Sequence, residues 1–317
     1  MALRLVFAGN KRRGVACLEA IVRAGHDVVA VLAHPDRGSR GRESVAGAAE
    51  RLGLRLIQPE RVDDPALIAQ LAALAPEAGL LAGYSPIVGP AFLALFPRGC
   101  YNLHGGALPK YRGSSPMNWA LMNGEGSFTI NIIEVDLGVD TGRVVAEREF
   151  PIALDDTIAD LQDRADAAFP AMVADVLRQV EMGTLRARPQ NTDGAAYYPL
   201  RFPDDGFILW DQLTARQVHD RVRALTEPYP CAFTYVDGRR IRLLRSKLTA
   251  RIRHGEPGRV YLKNANGVLV CASDRCLWIT RAEFDDGADA VAALPRYAQL
   301  ATVRSVALEW YRRMEPR

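Results

Sequence analysis

Residues 3–35, LRLVFAGNKRRGVACLEAIVRAGHDVVAVLAHP, change period twice. Residues 3–9 form a compact apolar run that stops at Gly9, the pattern of a short buried strand. From Gly14 the apolar positions recur at helical spacing and stop at Gly25. Residues 27–35 are a second apolar run, closed by a proline. The same rhythm continues outward. Residues 44–54 read as a helix, 54–59 as a strand, 64–74 as a helix with Asp64 as N-cap and Pro65 at its first position, and 77–84 as a fourth strand. Strands alternating with helices in this way predict an α/β fold built on a doubly wound, mostly parallel sheet.

Such sheets bind ligands beyond the carboxyl ends of their strands. The segments GNKRRG (9–14) and GYSPIVGP (83–90) stand at those ends. GNKRRG lacks the G-x-G-x-x-G spacing, so it is no dinucleotide fingerprint. It is either a solvated basic loop or a place where Lys11, Arg12 and Arg13 meet an anionic substrate group. Further on come a strand ending at residue 104, a helix over 115–125, strands over 127–135 and 142–152, and a long helix over 156–182. Residues 186–206 lose all periodicity and gather Pro, Asn, Asp and Gly, as linkers do. Beyond them lie an amphipathic helix (214–228), a hairpin around Asp237-Gly238 and further short strands, closed by a terminal helix. The expected organisation is a catalytic domain over 1–187, a linker over 188–204 and a smaller β-rich domain over 205–317.

The bulk numbers exclude several classes. The 317 residues are 49% hydrophobic and 24% charged, ordinary for a globular protein. Forty basic against 37 acidic residues give a formal net charge of +3, too slight a balance to demand a nucleic-acid partner. The five cysteines are odd in number and form no C-x-x-C pair, so neither a zinc site nor a disulfide framework is expected. The N-terminal run is interrupted by Arg4 and followed by no cleavage pattern, and no stretch is long enough to span a bilayer. A cytoplasmic protein, without metal and without membrane contact, is the expectation.

Residues 102–113 read NLHGGALPKYRG, and DLGVDTG follows at 136–142. Asn102-x-His104 at a strand end, the ALPKYRG turn and Asp140 in a D-x-G-x-D-T-G loop together resemble the folate-dependent formyltransferase family. The likeness continues through RFPDDGFILWDQLTARQVHDRVRALTEPYPCAFTYVDGRRIRL (201–243), which looks like the segment leading into that family's small C-terminal β-barrel. The chemistry accounts for these residue types independently. Moving a formyl group between nitrogens needs a neutral attacking amine, a stabilised oxyanion and a proton shuttle. Histidine shuttles protons near neutrality, a nearby carboxylate favours its cation, and an asparagine amide can donate to the oxyanion. His104 and Asp140 stand far apart in sequence, so the strand and loop architecture must bring them together. The resemblance implies 10-formyltetrahydrofolate as donor, with its pterin in an apolar slot made by Tyr84, Ile87, Val88, Leu137, Gly138 and Val139.

The resemblance also frames the acceptor. The segment NLHGGALPKYRGSSPMNWALMNGE (102–125) is similar to the pattern of family members that formylate nucleotide-linked amino sugars of the UDP-4-amino-4-deoxy-L-arabinose type. The alternative is methionyl-tRNA formyltransferase, whose members carry a longer basic loop after the second strand. Here that loop keeps Pro35-Asp36-Arg37 and Gly41-Arg42, but it is short, lacks the Lys pair and carries Glu43. The expectation is therefore a small nucleotide-linked amino sugar, with Lys11, Arg12, Arg13, Lys110 and Arg112 toward its phosphates. Exposed strand edges in the second domain would suit a homodimer.

Overall fold

The computed structural model describes residues 2–35 and 44–314, with the side chains of 312 and 313 excepted. The features at Asp36, Arg37, Gly41, Arg42 and Glu43 lie outside the described residues. The chain divides into two compact units, the first made of Met1–Gly113, Phe128–Phe150 and Gln162–Tyr198, the second of Ser114–Ser127, Pro151–Leu161 and Pro199–Arg317.

The α/β reading holds. The strands of the first sheet are β1 (Arg4–Gly9), β2 (Asp27–Leu32), β3 (Leu56–Ile57), β4 (Ala78–Ala82), β5 (Cys100–His104), β7 (Ser127–Glu134) and β8 (Val144–Pro151). They lie in the order β3-β2-β1-β4-β5-β7-β8. The pairs from β3 to β5 are parallel. β7 runs antiparallel to β5, with Tyr101 opposite Glu134 and His104 opposite Asn131. Strands β1 and β4 are apolar on both faces and buried throughout their shared length, as central parallel strands must be. A short pair, β6 (Arg112–Gly113) with β9 (Tyr197–Tyr198), is parallel and ties the residues after His104 to the stretch read from sequence as aperiodic.

Helices α1 (Lys11–Arg23), α2 (Val45–Arg51), α3 (Pro65–Ala72), α4 (Pro90–Leu93) and α6 (Ile158–Met182) accompany these strands. The basic segment after β1 is not a loop. Asn10 is extended and accepts a hydrogen bond from the Lys11 amide, so α1 starts at Lys11. Asp64 and Pro65 open α3 as their residue types require, with Asp64 accepting from the Ala66 amide.

The second unit holds α5 (Pro116–Met122), α7 (Ala215–Leu225), α8 (Ala290–Ala293) and α9 (Val303–Met314). Its antiparallel sheet has the order β10-β11-β14-β13-β12, from β10 (Ala232–Val236), β11 (Arg239–Leu248), β12 (Val260–Asn264), β13 (Gly267–Cys271) and β14 (Cys276–Phe284). The hairpin expected at Asp237-Gly238 joins β10 to β11, with Asp237 at φ +46° and Gly238 at +75°. One expectation is corrected here. Cys271 and Cys276 stand opposite each other across β13 and β14, and that register brings them into a disulfide. Among the described residues no helix is long and apolar enough to cross a membrane, and no cluster of His, Cys, Asp or Glu could hold a metal.

Candidate active site

Alternation along β5 puts Asn102 and His104 on one face of the sheet. Because β7 runs antiparallel to β5, its last residue lies level with the beginning of β5, away from His104. The loop after β7 must fold back to reach the histidine. It does so, and Asp140 arrives with Oδ2 at 3.4 Å from His104 Nδ1 and Oδ1 at 3.5 Å from Asn102 Nδ2. The Gly113 amide donates to the same Oδ2 at 2.9 Å. The three residues singled out in the sequence therefore meet. His104 is 5% exposed, and its Nε2 stands 2.6 Å from the Tyr111 carbonyl. A carbonyl oxygen only accepts, so Nε2 carries the proton and Nδ1 faces the carboxylate.

Asp140 holds φ +53°, the left-handed region that disfavours residues with a side chain. Such a conformation costs about 1–3 kcal/mol and persists where the surroundings over-determine it. The surroundings do so here. Asp136 Oδ1 accepts from the Gly138 amide (3.0 Å) and from Thr141 Oγ1 (2.6 Å), closing the loop on itself. A Cβ on Gly142 would stand 1.7 Å from the Glu134 carbonyl, so the loop returns to β7 only with glycine there. Gly113, at φ +93°, is required in the same way, because a Cβ would meet the Tyr198 carbonyl at 2.3 Å.

The residues expected around the pterin fall into two groups. Tyr84 and Val88 are buried in the apolar cluster of β1, β2 and β4, and Val135 at the root of the returning loop packs against that cluster. Ile87, Leu137 and Val139 are exposed at 81%, 72% and 47%, with Gly138 between the last two. Exposed apolar side chains are the kind of surface that a flat aromatic ligand covers. His34 stacks on Tyr84 with ring centroids 5.1 Å apart, and burial pushes its pKa below the ordinary range.

The basic residues are placed differently from one another. Lys11 and Lys110 are exposed, Lys110 with its Nζ over the Tyr111 ring. Arg12 pairs with Asp163 at the surface. Arg13 is half-buried, paired with Asp166 at 2.8 Å and lying over the Phe169 ring. Arg112 is buried; its Nε and Nη2 donate to Gln190 Oε1 and its Nη1 to the Tyr197 hydroxyl. All three nitrogens of Arg112 thus have partners within the fold, and Arg13 has its Nε so engaged. In the second unit, Asn118 donates to the Ala224 carbonyl and Trp119 to that of Pro199, so the N-W pair of the amino-sugar pattern packs its own unit.

Sequence reasoning missed two polar residues. Asn131 is buried opposite His104 and donates to the Gly106 carbonyl, fixing the chain just after the histidine. Its signal was a lone amide within the β-branched run TINII. Gln190 donates to the carbonyls of Asp140 and Gly142, both at 2.8 Å. It had no signal within its aperiodic stretch.

Comparison with known proteins agrees with this geometry. Residues 3–177 match the family model described as formyl transferase, and residues 202–293 match the formyl transferase C-terminal domain. A methionyl-tRNA formyltransferase of Anaeromyxobacter dehalogenans is 37% identical over 291 residues, covering 89% of this chain and 93% of its own. An N-formyltransferase from Helicobacter canadensis, solved with folinic acid and dTDP-3-aminofucose, superposes with a TM-score of 0.66 at 19% identity, over 87% of this chain and 97% of that one. A methionyl-tRNA formyltransferase from Clostridium thermocellum gives a TM-score of 0.55 at 19% identity, over 78% and 94%. At such identities the two solved structures share the fold.

Proposed function

Because the chain belongs to the formyl transferase family, we propose that it moves a formyl group from 10-formyltetrahydrofolate to the amino group of a nucleotide-linked amino sugar. The observation that carries formyl transfer is the meeting of Asn102 and His104 of β5 with Asp140, held at positive φ on the returning loop. The donor supplies an activated formyl carbon when bound, and Tyr84, Ile87, Val88, Leu137 and Val139 are the residues to hold its ring. One N–H of the Asn102 amide serves Asp140, and the other is left for the oxygen that turns negative. Loss of one such donor costs about 3–4 kcal/mol of barrier. His104 has Nε2 committed to Tyr111, so its Nδ1 edge, beside Asp140, handles the proton. The proton taken from the attacking amine returns to the nitrogen that gives up the formyl group.

For the acceptor, the sugar reading rests on the residues nearest the chemistry. The K-Y-R-G segment that supplies Tyr111 to His104 follows the amino-sugar pattern, and the loop before α2 lacks a Lys pair. Three arginines of β11 are engaged internally: Arg239 over Phe284, Arg240 over Phe233 and Arg242 with Glu283. Lys11 and Lys110 are exposed and basic, as an anionic acceptor requires. Initiator tRNA is the second reading. It is favoured by the 37% identity to methionyl-tRNA formyltransferase across both domains. It is favoured too by exposed Arg245, Lys247, Arg251 and Arg253, which carry no ion-pair partner among the described residues.

Incubation with 10-formyltetrahydrofolate and, separately, UDP- and dTDP-linked amino sugars or initiator methionyl-tRNA tests the choice. Formylation of a sugar with no saturable tRNA binding at physiological salt supports the first reading. A salt-dependent tRNA complex that supports transfer overturns it, since phosphate contacts weaken steeply with salt.

A further inference from the structure

We propose that Gln190 is a positioning residue that holds Asp140 against His104, and that Arg112 serves to aim it. This rests on the formyl-transfer reading of the site. The Gln190 side chain lies between two partners of opposite demand. Its Nε2 spends both hydrogens on the Asp140 and Gly142 carbonyls, each at 2.8 Å. Its Oε1 accepts from Arg112 Nε at 3.1 Å and Nη2 at 2.8 Å. The guanidinium donates and cannot accept, so it fixes which end of the amide faces the loop. Arg112 is itself held by the Tyr197 hydroxyl and by the β6–β9 pairing, where it stands opposite Tyr197.

One of the carbonyls that Gln190 grips belongs to the strained residue itself and the other to Gly142, two positions on. Asp140, at φ +53°, is bound at its own carbonyl by Gln190 and at its carboxylate by the Gly113 amide. Gly113 follows Arg112 directly, so one short segment orients both the carboxylate and the amide that grips the backbone behind it. Removal of the Gln190 donors frees the loop to relax out of the left-handed region. The carboxylate then leaves His104, and a misplacement of about 1 Å can cost ~100-fold in rate. Arg112, expected from sequence at an acceptor phosphate, is by this inference an internal strut.

Gln190→Glu separates aiming from gripping. The carboxylate keeps the Arg112 partner and loses both donors to the carbonyls. The variant is expected to fold with a lowered unfolding midpoint and to lose about 100-fold in kcat per folded molecule, with the KM for 10-formyltetrahydrofolate little changed. Amide exchange at Gly113 should accelerate, because its acceptor on Asp140 has moved. Arg112→Lys, which keeps a donor but loses the fork, should show a smaller loss of the same kind. Wild-type kcat in Gln190→Glu, or a reduced kcat with Gly113 exchange unchanged, would overturn the proposal. Should wild-type protein formylate neither sugars nor tRNA, the functional reading fails, yet Gly113 exchange still decides the clamp: faster supports it, unchanged refutes it.

Discussion

Two regions of this molecule bury the same side-chain chemistry and arrange it for opposite ends. In the first unit His104, Asp140, Arg112 and Gln190 meet on the face of β5. In the second, His219, Asp220 and Arg223 meet on α7, at 1–3% exposure. Around α7 the groups satisfy one another. His219 bonds Ser246 Oγ and the Leu154 carbonyl, and Asp220 takes both Arg216 and Arg223 at 2.7 Å. Arg223 also reaches the carbonyls of Ala153 and Asp156, leaving only its Nη2 unmatched. None of these three α7 residues holds a positive φ. Around His104, by contrast, the carboxylate comes from a residue at φ +53° and the neighbouring loops expose apolar side chains. Buried charge alone does not mark a reactive site. Strain held in place beside exposed apolar surface is what singles out the first region as the candidate site.

The comparison predicts that activity and stability come apart between the regions. The largest effect is expected at His104. His104→Ala should slow formyl transfer by about 10³-fold while folate binding, measured by fluorescence titration, persists. Near-normal turnover would show that the shuttle lies elsewhere. Next comes Asp220→Asn, which leaves the Arg223 guanidinium buried without its counter-charge. Breaking such a pair costs about 3–5 kcal/mol, to be read from urea midpoints. The transfer rate per folded molecule should not change, and a rate loss without a stability loss would reverse the assignment of the two regions.

A smaller effect follows from pH. Burial pushes the His219 pKa below its ordinary value, a shift opposed by the bond to Leu154. The unfolded chain therefore takes up this proton at higher pH than the folded protein does. Stability is complete above about pH 6.5 and declines as pH falls from there toward the folded-state value. His34 and His26 are shifted in the same direction, also chiefly by burial. Unfolding midpoints at pH 7.5 and 5.5 should differ less in His219→Gln than in wild type, and equal differences would remove His219 from the account. The smallest effect belongs to Arg12. Its pair with Asp163 is more than 60% exposed on both sides and should be worth about 0–1 kcal/mol. Arg13→Ala should cost more, since it also leaves Asp166 and the Phe169 ring uncovered.

The alternation of strands and helices was readable because period and punctuation are local. So was the convergence of Asn102, His104 and Asp140, because those residues stand in two compact motifs. What escaped depends on distance along the chain. Arg12 and Arg13 read as a free basic loop because their partners, Asp163 and Asp166, lie 151 and 153 residues away. The partner of Arg112 was hidden because Gln190, 78 residues on, belongs to a stretch with no periodic signal. The β6–β9 pair that organises this stretch is two residues long on each side, too short to impose a pattern. The disulfide depends on register across β13 and β14, and the separation of Cys271 and Cys276 does not specify register.

The most direct test is the single-turnover rate of formyl transfer by Asp140→Asn, with 10-formyltetrahydrofolate and the acceptor that wild-type protein uses. This substitution keeps the size of the side chain and its place on the loop, and removes only the charge facing His104. If the site works through that carboxylate, the rate falls by roughly 10²–10³-fold with the unfolding midpoint held. A rate within about twofold of wild type would contradict the account.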